Sequence, residues 1–290
     1  MTSFLPASFD LHCHSNVSDG ILSPDALVAR ASARGITRLA LTDHDDVSGL
    51  EKAGEAASAA GILFVRGVEI STGWEDHSIH VVALDIDAEH PALLSGLAAI
   101  RAGRLERAAR IGRALAECGI HGALEGARAY AGNAALISRA HFARYLVEQG
   151  LFRSRQEVFA HYLAPGKPGC VPHVWADITE AIGWIRAAGG VAVLAHPGRY
   201  KLSGGEMRRL LAVFAEAGGK AIEVSSGSHT PEMARHFAFL ARKFGFYASG
   251  GSDFHDPGER LELGCFPPMP EDIPPVWRLF SSADRNDTTH

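Results

Sequence analysis

The chain has 290 residues, 47% of them hydrophobic and 21% charged, which suits a soluble globular protein of one large domain or one domain carrying an insertion. Its formal net charge of −5, with histidine neutral, excludes a global basic field that would draw it to nucleic acid or an anionic membrane. No stretch is apolar for long enough to span a bilayer, and the opening MTSFLPASFDLHCHS lacks the basic region and apolar core of a signal peptide.

In chain order, a short apolar run at 9–11 ends at His12. Ser23 and Pro24 suit the N-cap and first position of a helix over 24–34. RLAL at 38–41 reads as a strand ending at Thr42-Asp43-His44, followed by an alanine-rich helix over 49–60. A strand from 63 leads to Glu69, and IHVVAL at 79–84 is the next strand. Between about 100 and 168 the periodicity is helical only, with helices expected over 101–118, 124–130, 138–149 and 155–162. The turn-rich Gly166-Lys167-Pro168-Gly169 then returns the chain to alternation. Helices at 177–188, 206–217 and 232–244 separate strands at 191–194, 221–224 and 246–249. The end of the chain is polar and is expected to be poorly ordered.

About seven strands separated by helices imply βαβ units and a parallel sheet, hence an α/β fold closed or nearly closed into a barrel. The expected division is a barrel from 1–100 and 169–290, with an all-helical insertion at 101–168. The four cysteines form no C-x-x-C pair, so reduced thiols in the cytoplasm are expected.

Fifteen histidines exceed what packing needs, and many fall into a pattern. His12 and His14 follow the first strand, with Asp19 in the loop beyond. His44, Glu69 and His196 each follow a strand, and Asp253 and His255 follow the last one. In a parallel barrel those strand ends converge on one mouth. His80 opens its strand instead of ending it, so position alone does not place it there. In the extended His12-Cys13-His14 segment residues i and i+2 point the same way, so both imidazoles can face one ion while Cys13 points away. Imidazoles and carboxylates without thiolate suit manganese, iron or zinc. A lone histidine past a strand is ordinarily a hydrogen-bonded loop residue. Nine candidate ligands are too many for one ion and point to two or three, with a carboxylate bridging. Clustered metals activate water and clamp phosphate oxygens, so the expected nucleophile is a metal-bridging hydroxide, with no side-chain base assigned. His90, His121, His141, His161, His173, His229, His236 and His290 lie outside this pattern and are mostly expected on the surface or in structural roles.

The motifs FDLHCHSNVSDG, LALTDHD, GVEIS, HVVALD, LAHPGRY and GGSDFH resemble, in order, those of the PHP (polymerase and histidinol phosphatase) family. The resemblance covers nearly the whole chain. It implies a distorted (β/α)7 barrel and a centre of three divalent metals, manganese first, with iron or zinc as alternatives. It assigns His12, His14, Glu69 and Asp253 to one metal, with Glu69 bridging to a second held also by His80 and His196. Asp19, His44 and His255 would hold the third.

Within that family, the insertion segments around 136–144 and 162–168 resemble the branch acting on nucleotides. This implies hydrolysis of the 3′-phosphate of 3′,5′-bisphosphonucleosides. The alternatives are a 5′-3′ exoribonuclease on short 5′-phosphorylated RNA, a histidinol phosphate phosphatase, or a non-catalytic RNA-binding module with structural metals. The expected partner is a nucleotide or short RNA, with neither a membrane nor an obligate protein partner. A second substrate phosphate needs cations. Arg139 at a helix N-terminus, Lys167 on the returning turn and Arg199 after His196-Pro197-Gly198 are the candidates. Arg101, Arg104, Arg107, Arg110 and Arg113 recur every three residues, a stripe that reads first as a solvated face and second as an RNA track.

Overall fold

The computed structural model describes residues 7–131, 133–171, 175–258 and 261–281. The polar end of the chain, His173 and His290 lie outside the described residues. The strands are β1 (Phe9–Asp10), β2 (Arg38–Leu41), β3 (Leu63–Trp74), β4 (His77–Leu84), β5 (Ala176–Asp177), β6 (Val191–Leu194), β7 (Ala221–Ser226) and β8 (Tyr247–Gly251). Seven of them form one curved sheet in the order β1-β2-β3-β4-β6-β7-β8, and β5 pairs with β3. The sheet nearly closes through irregular backbone. Leu11 N–H donates to the Gly250 carbonyl at 3.2 Å, and Asp253 N–H donates to the His12 carbonyl at 2.8 Å. Gly251 permits this approach, because a Cβ there would overlap the backbone of His12.

The strands split their side chains between two faces, as period-two alternation requires. In β6, Val191 and Val193 enter an inner cluster with Leu11, Val65, Val82 and Phe280. Ala192 and Leu194 of the same strand enter the outer cluster, against the helices. All four are buried, which explains why VAVL is a continuous apolar run.

Helices α1 (Pro24–Ala33), α2 (Leu50–Ala59) and the first half of α3 (Pro91–Glu117) cover the outer face. Helices α4 (Ala123–Arg128), α5 (Arg139–Glu148) and α6 (Arg155–Val158) form the helical segment. Helices α7 (Ile178–Ala187), α8 (Gly204–Ala217) and α9 (Pro231–Phe244) complete the outer wall. The boundary expected at 100/101 falls inside α3, which runs unbroken from one unit into the other. Packing still divides there. Leu93, Leu97 and Ile100 join the barrel's outer core, whereas Ile111 and Leu115 join a separate cluster with Phe142, Leu146 and Leu163.

Two features depart from the expected strands. β3 does not end at Glu69 but continues to Trp74, in a hairpin with β4. And β4 is antiparallel to both neighbours, β3 and β6. Its first residues therefore lie at the end where parallel strands finish. His80 stands opposite Ser71, beside the mouth, although it sits near the start of its strand. No helix among the described residues is long and apolar enough to cross a membrane.

Candidate metal centre

The loop after β1 is shaped by Asp43. Its carboxylate accepts the Ser15 N–H at 2.8 Å and the hydroxyls of Ser15 and Ser18, each at 2.6 Å. That holds the loop carrying Asp19 over the mouth. His196 and Asp253 both adopt positive φ, +25° and +57°, a strain that tight loops at functional sites commonly hold.

The nine expected ligands come together around Glu69, which is fully buried. Its Oε2 lies 3.2 Å from His12 Nε2, 3.3 Å from His14 Nε2 and 3.1 Å from His44 Nδ1. Its Oε1 lies 2.9 Å from His80 Nδ1 and 2.8 Å from His196 Nε2. Asp253 Oδ1 is 3.1 Å from His14 Nε2 and 3.4 Å from His12 Nε2. Asp19 Oδ1 is 3.2 Å from His255 Nε2 and 3.9 Å from His44 Nε2. The His14 and His255 rings stack at 4.1 Å. Cys13 points away and donates its thiol to the Ala40 carbonyl at 3.1 Å.

Three sets of donor atoms lie within 4.8 Å of one another: His12, His14, Glu69, Asp253; His14, Asp19, His44, His255; and His44, Glu69, His80. The first set coincides with the assignment implied for one metal. The second adds His14 to the implied third site. The last has His44 where the resemblance implied His196, which instead approaches through its contact with Glu69.

The donor set fits bound cations. Buried carboxylate oxygens ordinarily accept hydrogen bonds, and an unmatched buried anion is costly. Glu69 Oε2 and Asp19 Oδ1 are buried without one. Asp253 Oδ2 has Arg199 within 2.5 Å, an ion pair that lacks hydrogen-bond alignment. The electrostatics agree. Burial alone would raise the Glu69 carboxyl, but His12, His44 and His80 hold it well below the usual range. Against the same burial, Arg199 and His12 hold Asp253 down, and His44 and His255 hold Asp19 down. The imidazoles diverge: burial depresses His44 to about 3, while Asp19 and Asp253 overcome burial and lift His255 to about 10. Negative oxygens are thus kept ionised at the centre of a ring of imidazoles, the condition for cation binding.

Two carboxylates outside the expected set support it. Glu223 on β7 is 1% exposed; its Oε1 lies 2.6 Å from His12 Nδ1, and its Oε2 accepts the His196 N–H at 2.5 Å. Asp10 accepts the backbone N–H groups of His12, Ser252 and Gly264 at 2.9–3.2 Å, and burial raises it to about 6. The signal for both was an acidic residue inside an apolar strand, where a charge is rarely found unless paired. His229 also has a structural role. Its Nδ1 donates to the Val224 carbonyl at 3.1 Å, and its Nε2 accepts the Gly198 N–H at 3.1 Å. This pins the turn that carries His196 and Arg199. Gly198 must be glycine here, because a Cβ would crowd the His229 ring.

A cavity of about 410 Å³ opens over the centre. Its lining joins seven of the nine candidate ligands, all but His12 and His14, to Arg104, Arg107, Arg139 and Arg199, with Phe159 and Trp175. Arg139 donates to the Leu163 carbonyl at 3.1 Å. Lys167 is exposed on the returning turn and lines none of the cavities among the described residues that include the centre. The arginine stripe is not a uniform solvated face. Three residues turn a helix by 300°, so each successive arginine winds back by 60°. Arg101 and Arg104 reach Asp45, Arg104 bonds Ser71, and Arg107 donates to the Val171 carbonyl. Arg110 and Arg113 have wound out into solvent.

A β/α barrel with buried imidazoles and carboxylates gathered at its mouth defines a metal-dependent hydrolase type of site. The sequence matches the PHP domain over residues 10–226, and the chain belongs to that family. It is 49% identical over 273 residues to the 3′,5′-nucleoside bisphosphate phosphatase of Chromobacterium violaceum, covering 94% of this chain and 96% of that protein. It is 46% identical over 274 residues to the 5′-3′ exoribonuclease Rnm of Escherichia coli (strain K12), covering 94% and 93%. A solved amidohydrolase from Chromobacterium violaceum, with bound SO4 and no metal, superposes with a TM-score of 0.90 at 49% identity, over 94% of this chain and 95% of that one.

Proposed function

We propose that this protein is a metal-dependent phosphoesterase that removes the 3′-phosphate of 3′,5′-bisphosphonucleosides, leaving a nucleoside 5′-monophosphate and phosphate. One observation carries the reading: a single cavity joins seven of the nine candidate ligands to a set of arginines and two aromatic rings. Similarity to a 3′,5′-nucleoside bisphosphate phosphatase supports it.

In this reading His12, His14, Asp19, His44, Glu69, His80, His196, Asp253 and His255 hold three divalent metals. Manganese is the first candidate and iron or zinc the alternatives, because the donors are nitrogen and oxygen without thiolate. When bound, such ions supply Lewis-acid charge and an activated water. The protein's own groups do the rest. Glu69, facing five imidazoles through two oxygens, fixes the spacing of the sites. Arg199, ion-paired with Asp253, meets the substrate phosphates at the mouth. Arg139 meets the remaining phosphate from the start of α5. Lys167, the third sequence candidate, would have to reach in from the exposed turn. Phe159 and Trp175 offer apolar surface to the base. The helical segment 101–168 caps the barrel mouth and limits water there. The four unpaired cysteines suit a reducing compartment, which we take to be the cytoplasm.

A second reading, a 5′-3′ exoribonuclease on short RNA, is favoured by a neighbouring cavity of about 620 Å³. It shares Ser78, Arg107 and Trp175 with the first, giving room for more than one nucleotide. The test is phosphate or nucleotide release, with added Mn²⁺, from 3′-phosphoadenosine 5′-phosphate, histidinol phosphate and a short 5′-phosphorylated RNA. Fastest turnover of the bisphosphate is expected. No turnover of it beside good turnover of histidinol phosphate would reject the proposal.

A further inference from the structure

The helical segment meets the barrel at the loop that follows His44. Asp45 anchors that loop to the sheet: its N–H donates to the Glu69 carbonyl at 2.9 Å, and its Oδ1 accepts the Ser71 N–H at 2.7 Å. Asp45 is fully buried and held at a φ of +51°, so the loop is a fixed post. The next residue, Asp46, is buried too. Its Oδ1 accepts the Ser48 N–H at 2.7 Å, which sets the direction of the side chain. Its Oδ2 accepts from Asn133 Nδ2 at 2.9 Å, and Arg101 of α3 stands 3.8 Å from the same oxygen.

Asn133 is held from its other end as well. Its Oδ1 accepts the Ala135 N–H at 2.9 Å and caps the helical turn Ala134–Leu136. The amide thus points its oxygen at the turn and its nitrogen at Asp46. The chain on either side of Asn133 walls the mouth. Ser138 and Arg139 line the cavity over the centre, Tyr130 lines a smaller one of about 240 Å³ beside it, and Ala140 lines both. Asp46 and Asn133 stand behind this wall, outside both linings. On the α3 side the helical segment is held stiffly, because that helix runs unbroken out of the barrel. On the side where the chain passes from α4 to α5, the Asn133–Asp46 bond fastens it.

We infer that Asn133 and Asp46 form a latch that fixes the width of the mouth and so selects substrate length. The inference rests on the phosphoesterase reading. With the latch fastened, the wall bearing Ser138 and Arg139 stands against the His44 edge, and the site fits one nucleotide. Its volume of about 410 Å³ lies low in the range of about 300–1,000 Å³ usual for small-ligand sites. With the latch released, the wall swings about α3. A longer chain then enters on that side, and Arg139 loses its fixed place beside a bisphosphate. Asn133 and Asp46 act by position, through the wall, without touching the substrate.

Two variants separate the latch from the fold. Asn133→Ser keeps an oxygen to cap the turn but is too short to reach Asp46. Asp46→Asn combined with Asn133→Asp reverses the pair. The amide then lies at 46 and donates to the carboxylate at 133, while Ser48 and Ala135 keep their acceptors. Melting curves check folding. The first readout is kcat/KM for 3′-phosphoadenosine 5′-phosphate relative to that for a short 5′-phosphorylated RNA, with added Mn²⁺. The second is hydrogen exchange of the amides at 135–141. Loss of a hydrogen bond to a charged group predicts a fall of about tenfold in the ratio for Asn133→Ser, carried by a higher KM for the bisphosphate, together with faster exchange. The reversed pair should stay within about twofold of wild type in both readouts. A folded Asn133→Ser whose ratio stays within about twofold of wild type overturns the inference, whatever its exchange. So does a reversed pair whose ratio is as low as that of Asn133→Ser. If wild type hydrolyses neither substrate, the phosphoesterase reading has failed. Exchange then decides the latch by itself: faster in Asn133→Ser keeps it, and unchanged rejects it.

Discussion

Glu223 Oε1 sits 2.6 Å from His12 Nδ1, while its other oxygen accepts the backbone N–H of His196. One carboxylate thus orients a candidate ligand from the β1 end and the turn that carries a candidate ligand after β6. It also fixes the His12 tautomer, since hydrogen on Nδ1 leaves Nε2 as the lone-pair donor facing Glu69 and Asp253. Glutamine has one acceptor and one donor end, so Glu223→Gln can satisfy only one of these two bonds. Metal affinity should fall about 10- to 100-fold, as for other partners that orient metal ligands. Metal titration followed by elemental analysis checks this. Unchanged affinity in a folded variant would remove Glu223 from the role.

Arg104 is buried and bonds Asp45 Oδ2 at 2.7 Å and the Ser71 hydroxyl at 2.6 Å, with Trp175 beneath its guanidinium. Asp45 is itself fully buried. Arg104→Met would keep much of the volume but strand that carboxylate. Breaking one side of a buried pair costs about 3–5 kcal/mol. Thermal melting should therefore drop by on the order of 10 °C. A drop of under about 2 °C would mean that water or another group readily replaces the arginine.

Much of this was legible in the sequence, and the failures have physical causes. Strands such as RLAL and VAVL were legible because buried parallel strands are apolar throughout. The gathering of the candidate ligands at one mouth was legible because strand ends converge in a barrel. Strand direction was not: nothing local in IHVVAL reports that β4 runs backwards, so His80 looked misplaced until the hairpin with β3 explained it. Glu223 was missed because β7 was read for its apolar pattern and its one acid was passed over. Arg104 was read with a solvated stripe because periodicity gives a helix face, not what packs on it. Lys167 shows the converse: a plausible place in the sequence did not bring its side chain to the cavity.

His229 should make the fold acid-sensitive. Burial depresses its imidazole, although the bond to Val224 opposes this. In the unfolded chain the ring titrates near about pH 6.5. Above that pH it is neutral in both states, and its contribution to stability is complete. Below it the unfolded chain binds a proton that the folded ring resists, so stability falls as pH drops. Protonation would also remove the acceptor for Gly198. Melting temperatures at about pH 7.5 and about pH 5.5, in chelator, should differ more for wild type than for His229→Gln. Equal differences would show that other groups set the acid response.

Metal removal should weaken the fold as well as the chemistry. The centre gathers buried Glu69, Asp253 and Asp19 oxygens without aligned hydrogen bonds. A cation bound there stabilises only the folded state, because the ligands come from segments as distant as His12 and His255. At a thousand times its Kd, one ion adds about 4 kcal/mol. Stripping with chelator should then lower the melting temperature by on the order of 10 °C, and restoring Mn²⁺ should recover it. The same cycle in Glu69→Gln should show a much smaller shift, because that carboxylate faces two of the three donor sets. If the variant recovers as fully as wild type, the ions bind without Glu69, and its place at the centre of the cluster would be structural only.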